Sequence, residues 1–333
     1  MNYIGLKNSH KIFVTGANCL LGVNTILELL NQGHRVKGFL RDKNKFIDYK
    51  HQNLELVEGD ILDKNQLFKS TSDCQSVIHI AATTDPKLSK YSEFEKVNVT
   101  GTKNVLEAAI QNQLKRIIYV STANVYGYGT KESLGNESKQ MMQPFTDSNY
   151  SRSKKEAQDY VLTRKNDIEA IIVNPSFMIG PYDSRPSSGR IVLMGLKNKI
   201  LLCPPGGKNF VCVKDVSKGI LNALENGVNG ETYLLGNTNM SYKDFFKLLH
   251  DQTNSKAIVL PLPKPLLILT GYLGNSFQYL GFKTQFSLDN MKALCVKNYY
   301  SNSKAKEQLG MSFSPIENGL LEAVDWFKKN NKI

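Results

Sequence analysis

The chain has 333 residues, of which 41% are hydrophobic and 22% are charged, values that exclude a disordered or collagen-like protein. Lys and Arg number 42 and Asp and Glu number 30, so the formal net charge is +12. This charge is compatible with nucleic acid, a membrane surface or an anionic small molecule as partner. Because the basic residues are spread along the chain and no nucleic-acid motif is present, we expect no nucleic-acid partner.

The five cysteines form no C-x-x-C pair and have no zinc-ligand spacing, so we expect no metal site. The polar residues before the first apolar run leave no room for a signal peptide. No stretch of about 18 apolar residues is present, which predicts no stable membrane insertion. We therefore expect a cytoplasmic protein with reduced cysteines.

Short β-branched or aromatic runs alternate with helical patterns in the first half of the chain. The predicted strands are Lys11–Thr15, Arg35–Leu40, Leu54–Val57, Ser76–Ile80, Arg116–Ser121 and Glu169–Val173. The predicted helices are Leu21–Gln32, Asn65–Ser70, Phe94–Gln113 and Ser151–Asn166. This alternation predicts an α/β fold, a Rossmann-type doubly wound sheet of parallel strands covered by helices on both faces.

The pattern loosens after Asn174-Pro175, where Pro, Gly and Ser become frequent. We therefore place a dinucleotide-binding domain at residues 1–174 and a smaller, mixed substrate lobe mainly at residues 175–333, with some segments returning to the sheet. Later predicted elements are a strand, Glu231–Leu235, and two helices, Tyr242–Gln252 and Pro315–Lys329. The apolar segment 266–273 is predicted to form a buried helix, with a lid or a membrane-surface contact as alternatives.

A glycine-containing turn, Thr15–Gly22, connects the first strand to the first helix. Gly16 suits a tight turn and Gly22 suits close helix–strand packing, so the helix N-terminus could hold the pyrophosphate of a dinucleotide. Cys19 stands where this fingerprint normally has its middle glycine. The alternative is an ordinary strand-turn-helix corner. The candidate cofactor residues of the turn are Gly16, Asn18, Cys19, Leu20, Leu21 and Gly22.

The residues after the next strands indicate which dinucleotide is bound. Arg41, with Lys45 nearby, follows the second strand at the position where an acidic residue would select NAD. An arginine there suits the 2′-phosphate of NADP, although NAD stays open and the turn could be a solvated basic loop. Asp60 and Ile61 are candidates for contact with the adenine. Small residues at Ala81 and Ala82 would allow close approach of the cofactor.

A candidate catalytic group follows the fifth strand. Thr122 ends that strand, and Tyr150 and Lys154 lie four residues apart, on one face of a helix. A tyrosine has a pKa of about 10, and a nearby ammonium group would lower it, which suits proton transfer to a carbonyl oxygen. Thr122 could donate a hydrogen bond to the same oxygen, and Lys154 could also bind ribose hydroxyls. The alternative is that Tyr150 and Lys154 belong to an ordinary helix surface.

The order of these motifs resembles the extended short-chain dehydrogenase/reductase family, also called the NAD-dependent epimerase/dehydratase family. The resemblance covers nearly the whole chain and includes His79–Ala82, Asn98–Thr102 and Asn174-Pro175. It implies that Thr122, Tyr150 and Lys154 are catalytic. It also implies that Asn98 supports the helix and the water near the site. Pro175 is a further candidate cofactor residue, and pairing into a homodimer is expected by analogy with family members.

The branch of the family bears on the reaction. Sugar-nucleotide 4,6-dehydratases carry an Asp-Glu pair after the Ser/Thr, whereas this chain has Ala123-Asn124. The pattern around Arg41 and at residues 299–310 resembles the dihydroflavonol 4-reductase/3β-hydroxysteroid dehydrogenase-like branch, which implies NADP-linked interconversion of a ketone and a secondary alcohol. Two alternatives stay open: a sugar-nucleotide epimerase that retains NAD, and a non-catalytic NADP-binding sensor.

The expected partner is a small-molecule carbonyl or alcohol, and the substrate lobe gives few indications of its identity. The candidate substrate residues are Thr84, Asn124, Phe177, Met178 and Arg185. Aromatic residues and methionines at such spacing belong more often to a core than to a pocket. Arg185 could meet a phosphate or carboxylate, or it could be a solvated loop charge.

Overall fold

The computed structural model describes residues 10–333, so the expectation about a signal peptide lies outside the described residues. The strands are β1 (Lys11–Thr15), β2 (Arg35–Leu40), β3 (Leu54–Glu58), β4 (Ser76–His79), β5 (Arg116–Val120), β6 (Glu169–Pro175), β7 (Phe177–Ile179), β8 (Ile200–Cys203), β9 (Gly207–Cys212), β10 (Thr232–Leu235), β11 (Thr238–Ser241), β12 (Ile258–Pro261) and β13 (Lys297–Asn298).

The helices follow the strands closely along the chain. They are α1 (Leu20–Asn31), α2 (Lys64–Thr71), α3 (Tyr91–Phe94), α4 (Gly101–Gln111), α5 (Asn149–Thr163), α6 (Arg190–Lys197), α7 (Val213–Asn226), α8 (Tyr242–Thr253), α9 (Lys264–Tyr279), α10 (Leu288–Cys295), α11 (Ser303–Leu309) and α12 (Ile316–Lys329). The predicted helix over 94–113 is divided, because a π-helical turn, Glu95–Thr100, joins α3 to α4.

Seven parallel strands form the large sheet in the order β3-β2-β1-β4-β5-β6-β10. After β3 the chain crosses to the other half of the sheet, so the strand order reverses between β1 and β4. Ligands of such folds bind at the carboxyl ends of the strands beside that point. This arrangement confirms the predicted Rossmann-type α/β class. The glycine turn after β1 and Thr122 after β5 therefore lie at the same edge of the sheet.

Both faces of the large sheet are buried, which explains why its strands are apolar runs rather than alternating patterns. On one face, Ile12 and Val14 pack with side chains of α1 and α7, such as Ile26 and Ile220. On the other face, Phe13 packs in the cluster that covers α2, α4 and α5. Successive residues of β1 thus enter opposite cores, as the period of two in a strand requires.

The remaining strands build a smaller lobe beyond the carboxyl edge of the large sheet. β9 pairs antiparallel with β11 and parallel with β7 and β13, and β8 pairs with β12. The core of this lobe contains Phe210, Phe245 and Phe327, which are fully buried. Phe210 and Phe245 stack with ring centroids 4.6 Å apart. β10 returns from this part of the chain to the edge of the large sheet beside β6.

The prediction that residues 266–273 form a buried helix is wrong in its burial. α9 does form, but only Leu267, Gly271 and Gly274 are buried, and most of its large apolar side chains are exposed. Apolar composition alone cannot distinguish a helix that packs on all sides from one with an uncovered face.

Several features that could hold a metal or cross a bilayer do not occur among residues 10–333. No helix there has both the length and the apolar character needed to span a membrane. The described residues contain no group of three or more His, Cys, Asp or Glu side chains placed to bind a metal ion. All five cysteines are free thiols.

Candidate active site

The turn after β1 is held in a conformation that favours glycine at its first position. Gly16 has a φ of +71°, and a Cβ atom there would lie 2.9 Å from the backbone nitrogen of Ala81. At Gly22 a Cβ atom would lie 2.2 Å from the carbonyl oxygen of Gly16, so the start of α1 packs directly on the turn. Both glycines are therefore required by close backbone contacts.

Cys19 caps the first turn of α1. Its backbone nitrogen donates to the carbonyl oxygen of Gly16 at 3.1 Å, and its sulfur accepts from the Gly22 nitrogen at 3.3 Å. The side chain is exposed at the helix N-terminus. The sulfur thus takes one of the free N–H groups of the turn, which a glycine at this position would leave for a ligand.

The remaining geometry of the turn fits a dinucleotide. The first turn of α1 contains no acidic side chain that would repel an anion. Ala81 and Ala82, after β4, are half-buried and place only methyl groups beside the turn. Backbone N–H groups at the start of α1 are available to phosphate oxygens, because a helix N-terminus leaves such donors unsatisfied. The residues after β1 and β4 would hold the pyrophosphate.

The residues after β2 contain one ion pair and, among the described residues, an arginine that makes none. Asp42 forms an ion pair with Lys45 and accepts from the Asn44 nitrogen at 3.1 Å, and this pairing lowers the pKa of the Asp42 carboxyl. Arg41 is exposed and makes no ion pair within residues 10–333. Asn18 of the glycine turn and Lys45 line the same cavity of about 420 Å³. The residues after β2 therefore lie beside the glycine turn.

The candidate adenine contacts differ in exposure. Asp60 is exposed and accepts from the Leu62 nitrogen at 3.0 Å. Ile61 is buried, and a Cβ atom on Gly101 would lie 2.5 Å from its Cδ1 atom. The Ile61 carbonyl accepts from Asn104 at 3.1 Å. The side chain of Ile61 thus belongs mainly to the core, while the Asp60 side chain faces solvent.

The three candidate catalytic side chains converge at the carboxyl end of β5. Thr122 is buried there, and its hydroxyl oxygen accepts from the Asn124 nitrogen at 3.3 Å. Tyr150 and Lys154 project from the first two turns of α5, which begins at Asn149. The Lys154 ammonium donates to the Val120 carbonyl at 2.8 Å and lies 4.2 Å from the centre of the Tyr119 ring.

The protonation of these groups differs from the sequence expectation. Burial raises the pKa of Tyr150 to about 12, and interaction with the Thr122 side chain opposes this only in part. Burial lowers the pKa of Lys154 to about 7. The expected lowering of the Tyr150 pKa is therefore not found in the chain alone. The physical reason is that the Lys154 ammonium is directed at the Val120 carbonyl, and desolvation dominates both groups.

Asn98 joins the π-helical turn to both neighbouring segments. Its side-chain nitrogen donates to the Thr83 carbonyl at 3.1 Å and to the Ser153 hydroxyl at 2.9 Å. Its side-chain oxygen accepts from the Thr83 nitrogen at 2.7 Å. The side chain is fully buried. Because Ser153 adjoins Lys154 on α5, Asn98 positions α5 against the loop after β4.

A second buried amide fixes the Thr122 backbone. The Asn174 side-chain nitrogen donates to the Thr122 carbonyl at 3.1 Å and to the Gln158 side-chain oxygen at 2.8 Å. Gln158 in turn donates to the Tyr126 hydroxyl at 3.0 Å. This chain of hydrogen bonds runs between the end of β6 and α5, so it sets the distance between Thr122 and the helix that carries Tyr150. The sequence pattern shows Asn174 but not its partner Gln158.

His79 connects three segments behind the site. The Thr15 hydroxyl accepts from the nitrogens of Ile80 (3.1 Å) and Ala81 (3.2 Å) and therefore donates to His79 Nδ1 at 2.7 Å. His79 Nε2 lies 3.0 Å from the Thr102 hydroxyl. Burial lowers the pKa of His79 to about 3, so the ring is neutral, and this geometry requires its proton on Nε2.

Two residues of the smaller lobe reach the site without any sequence signal. Asn298 on β13 donates to the Asn124 side-chain oxygen at 3.1 Å. Lys208 pairs in register with Asn298 across β9 and β13, so the two side chains point to the same side. Its ammonium lies 5.6 Å from the Phe145 ring, and burial lowers its pKa to about 8. Among the described residues Lys208 makes no ion pair, so a cation lies next to Asn298, the residue that contacts Asn124.

The other candidate substrate residues are not brought together. Phe177 and Met178 are successive residues of β7, and they face opposite cores. Phe177 packs on Phe210 in the smaller lobe, whereas Met178 packs in the cluster that includes α7. Thr84 and Arg185 are both exposed, in separate loops. The structure thus places Asn124 at the site and assigns Phe177 and Met178 mainly to packing. Pro175 ends β6, where it is buried.

Comparison with known proteins decides the family. Residues 12–236 match the sequence profile described as the NAD dependent epimerase/dehydratase family. This match covers more than half of the chain, including the glycine turn, Tyr150 and Lys154. The chain belongs to this family. Its cofactor class is accordingly a nicotinamide dinucleotide, and its substrates are small molecules.

The chain is similar over most of its length to proteins with different names. It is 29% identical to a Synechocystis protein provisionally named dihydroflavonol 4-reductase, with 96% of this chain and 95% of that protein covered. It is 25% identical to sterol demethylase protein B of Methylococcus capsulatus, with 96% and 99% covered. A ketoreductase of Stigmatella aurantiaca, named for 4-hydroxy-2-methyl-3-oxo-4-farnesyl-3,4-dihydroquinoline-1-oxide, is 27% identical, with 80% of each chain covered.

Solved structures show the same fold. The crystal structure of gox2253 superposes with a TM-score of 0.82 at 26% identity and covers 98% of this chain and 100% of its own. A UDP-glucose 4-epimerase of Thermotoga maritima superposes with a TM-score of 0.75 at 20% identity, with 96% and 99% covered. The chain therefore shares its fold with a protein named as a UDP-glucose 4-epimerase.

Proposed function

We propose that the chain is an NADP-dependent oxidoreductase that interconverts a ketone and a secondary alcohol. The observation that carries this proposal is the group of Thr122, Tyr150 and Lys154 at the end of β5, with Ala123-Asn124 in place of an acidic pair. Reduction and oxidation of a carbonyl need one proton-transfer group, whereas elimination of water needs further acids and bases. Asn124 is neutral and its side chain is already bonded to Asn298.

The chain's residues have separable roles in the reaction. A bound nicotinamide supplies a hydride to the carbonyl carbon in the reductive direction and accepts one in the reverse direction. Tyr150 donates its phenolic proton to the carbonyl oxygen, so hydride and proton together add across the C=O bond. Thr122 donates a hydrogen bond to the same oxygen and stabilises its developing charge. Lys154 would bind ribose hydroxyls and orient the cofactor.

The raised pKa of Tyr150 supplies the protonated form that carbonyl reduction requires. With its pKa raised to about 12, Tyr150 is protonated at neutral pH and ready to donate. Oxidation of an alcohol would require the phenolate form, which burial disfavours. Binding of a cofactor that increases the charge on Lys154 would reduce this difference.

Arg41 supports NADP as the cofactor. Its guanidinium has no acidic partner in the described residues, and the neighbouring Asp42 is engaged by Lys45. The carboxylate that could hold the ribose 2′-hydroxyl of NAD is therefore already paired with Lys45, while the Arg41 guanidinium could meet the 2′-phosphate of NADP.

We further propose an apolar ketone as the substrate class. Two relatives bear names that refer to a sterol and to a farnesyl-substituted quinoline, both largely apolar molecules. Lys208 and Asn298 would meet a polar or anionic group of the substrate beside Asn124, because they are the half-buried cation and the buried amide at that end of the site.

A sugar-nucleotide epimerase that retains NAD is the second candidate, since the fold is shared with a UDP-glucose 4-epimerase. The Arg41 guanidinium, which has no acidic partner among the described residues, favours NADP over NAD. Retention of NAD(H) through purification would support the epimerase instead. A non-catalytic NADP sensor would have no use for Tyr150 and the buried Lys154. Tight NADPH binding with no turnover over a broad carbonyl panel would support such a sensor instead.

The test compares two tyrosines on α5. We expect Tyr150→Phe to lower NADPH-dependent ketone reduction by roughly 10²–10⁴-fold, the usual contribution of general acid catalysis, with NADPH binding nearly unchanged. Tyr160→Phe is the matched control, because the Tyr160 hydroxyl bonds to Glu107 at 2.9 Å, away from the site. The readouts are the rate of NADPH oxidation and a fluorescence titration of NADPH. Undiminished reduction by Tyr150→Phe would exclude the assigned role.

A further inference from the structure

The outer face of α9 is apolar and exposed. Leu266, Leu269, Leu273, Phe277 and Leu280 follow one another at spacings of three and four residues from α9 into the loop after it. Each is at least 49% exposed. Tyr272, Tyr279 and Phe282 add further exposed aromatic surface at this end of the lobe. A contiguous apolar surface of this kind on a folded protein indicates contact with a partner or a membrane.

The inner face of α9 is already fully packed, so the outer face cannot turn inwards. Gly271 and Gly274 let the helix approach the segment before α10 closely. A Cβ atom on Gly274 would lie 1.8 Å from the Phe286 carbonyl oxygen, and one on Gly271 would lie 2.8 Å from Leu288 Cα. Leu267 completes this narrow buried stripe. The glycines fix which face is covered and leave the large side chains outside.

The charged side chains in the segment that contains α9 are all positive. Residues 254–288 contain no Asp or Glu and three lysines, which are Lys256, Lys264 and Lys283. All three are exposed. Lys264 starts α9, and Lys283 follows shortly after its end, so the apolar face has a cation near each end. Lys197 and Lys199, next to β8, are also exposed. The pairing of β8 with β12 brings these two near Lys256.

Side chains from this region also tie it to loops around the active site. Arg190 donates to the Gln285 side chain at 2.8 Å, and Asn290 on α10 donates to the Pro86 carbonyl at 3.3 Å. Lys292 lies 3.9 Å from the Asp147 carboxylate, in the loop that leads to Tyr150. α9 therefore lies on a cap whose other side borders the loops after β4 and before α5.

We propose that α9 docks on the surface of a bilayer that contains anionic phospholipids, with its outer face in the interface and its flanking lysines on the headgroups. An exposed apolar helix can lie in the interfacial region of a bilayer, and lysines near its ends add attraction to anionic headgroups. The 16 residues of α9 extend about 24 Å, less than the thickness of a bilayer core, which is compatible with lying on the surface.

A second copy of the chain fits this surface less well than a bilayer does. A symmetric dimer through α9 would bring Lys264 and Lys283 of one copy close to the same cations of the other copy. No acidic residue in 254–288 would neutralise them. Anionic headgroups supply the missing negative charge. The proposal does not depend on the reaction, because it concerns a face that carries none of the catalytic side chains.

The test is cosedimentation with lipid vesicles. We expect the purified full chain to bind vesicles of phosphatidylcholine with phosphatidylglycerol, to bind pure phosphatidylcholine at least roughly tenfold more weakly, and to lose affinity as salt is raised. The double variant Leu269→Glu/Phe277→Glu should abolish binding. The matched control is Phe68→Glu on α2, which changes an aromatic side chain that is 44% exposed on the large-sheet side of the molecule. It should bind as the unchanged chain does.

Two further measurements keep the outcome decisive. The charge variant Lys264→Gln/Lys283→Gln leaves the apolar face intact and should weaken binding by roughly tenfold or more, which tests the proposal even if the double Glu variant misfolds. Light scattering after gel filtration reports the oligomeric state. The proposal is overturned if the unchanged chain does not bind anionic vesicles, or if both α9 variants bind as well as it does. It is equally overturned if the chain is a dimer that the α9 variants dissociate, without vesicle binding.

Discussion

The carboxyl edge of the large sheet and the outer face of α9 differ in which kind of side chain they bury. At the sheet edge, polar side chains such as Asn98, Gln158 and Asn174 are buried and joined by hydrogen bonds that run between strands and helices. On α9, most of the large apolar side chains are exposed, and the buried residues are Leu267 and two glycines. Buried hydrogen bonds fix a geometry that chemistry requires, whereas an uncovered apolar face leaves contacts to be made with something else.

This difference predicts where substitutions act. Changes at the sheet edge should alter turnover or folding strongly, because each side chain there has several partners in a low-dielectric environment. Changes on α9 should leave both nearly unaltered and act on docking.

After Tyr150, the largest effect is expected at Thr122. Thr122→Val removes the hydroxyl donor next to Tyr150 while keeping the side-chain shape, and we expect kcat/KM for ketone reduction to fall by roughly 10²–10³-fold. Thr122→Ser keeps the hydroxyl and should retain most of the activity. Steady-state kinetics with NADPH measure both. A Thr122→Val enzyme as active as the Ser variant would show that the hydroxyl does not contact the reacting oxygen.

A smaller effect on stability is expected at Asn98. Asn98→Ala leaves the buried nitrogen and carbonyl of Thr83 without their partner, which should destabilise the fold by about 1–3 kcal/mol. Asn98→Asp can still accept from the Thr83 nitrogen, but it loses both donated bonds. Urea unfolding followed by circular dichroism gives the free energy of unfolding. If Asn98→Ala is as stable as the unchanged chain, Asn98 does not hold α5 in place.

The pKa of Lys154 predicts a pH-dependent effect. Because burial lowers it to about 7, the unfolded chain binds more protons than the folded chain between about pH 7 and pH 10. Stability from this group therefore rises with pH in that window. Relative to Lys154→Met, the free energy of unfolding of the unchanged chain should increase by up to about 1.4 kcal/mol per pH unit. A difference that stays constant from pH 7 to pH 10 would contradict the low pKa.

The smallest of these effects is expected at Arg41. Arg41→Ala should lower the ratio of catalytic efficiencies with NADPH and NADH by roughly tenfold, the loss of one exposed charge–phosphate contact. Arg35→Ala at the other end of β2 is the matched control and should leave the ratio unchanged. A clear preference of the unchanged chain for NADH would show that the 2′-phosphate is not recognised here.

The sequence was sufficient for the large sheet and much of its active edge. Strands β1 to β6 were predicted within one or two residues, because doubly buried strands are continuous β-branched runs between turn residues. The i,i+4 spacing placed Tyr150 and Lys154 on α5, and the glycine turn fell at its helix N-terminus. These features depend on residues close together in the chain.

Long-range features were not accessible from the sequence pattern. Asn298 contacts Asn124, with Lys208 as its neighbour in the register, only because β9 and β13 pair beside the end of β5. The raised pKa of Tyr150 depends on burial that spacing does not reveal. For α9, the apolar residues indicated a helix, but its covered face is chosen by two glycines and their close packing. Phe177 and Met178 are adjacent in the chain, but successive side chains of β7 point to opposite faces, so the two residues pack in different clusters.

The most direct test of the central claim follows a labelled hydride. The purified chain is incubated with NADPH deuterated at the transferred position and a panel of apolar ketones, and the products are analysed by mass spectrometry. We predict one deuterium on the carbinol carbon, one oxidised cofactor for each alcohol formed, and loss of both in Tyr150→Phe but not in Tyr160→Phe. Retained NAD(H) with no net cofactor turnover would contradict the assignment and identify an epimerase-type reaction instead.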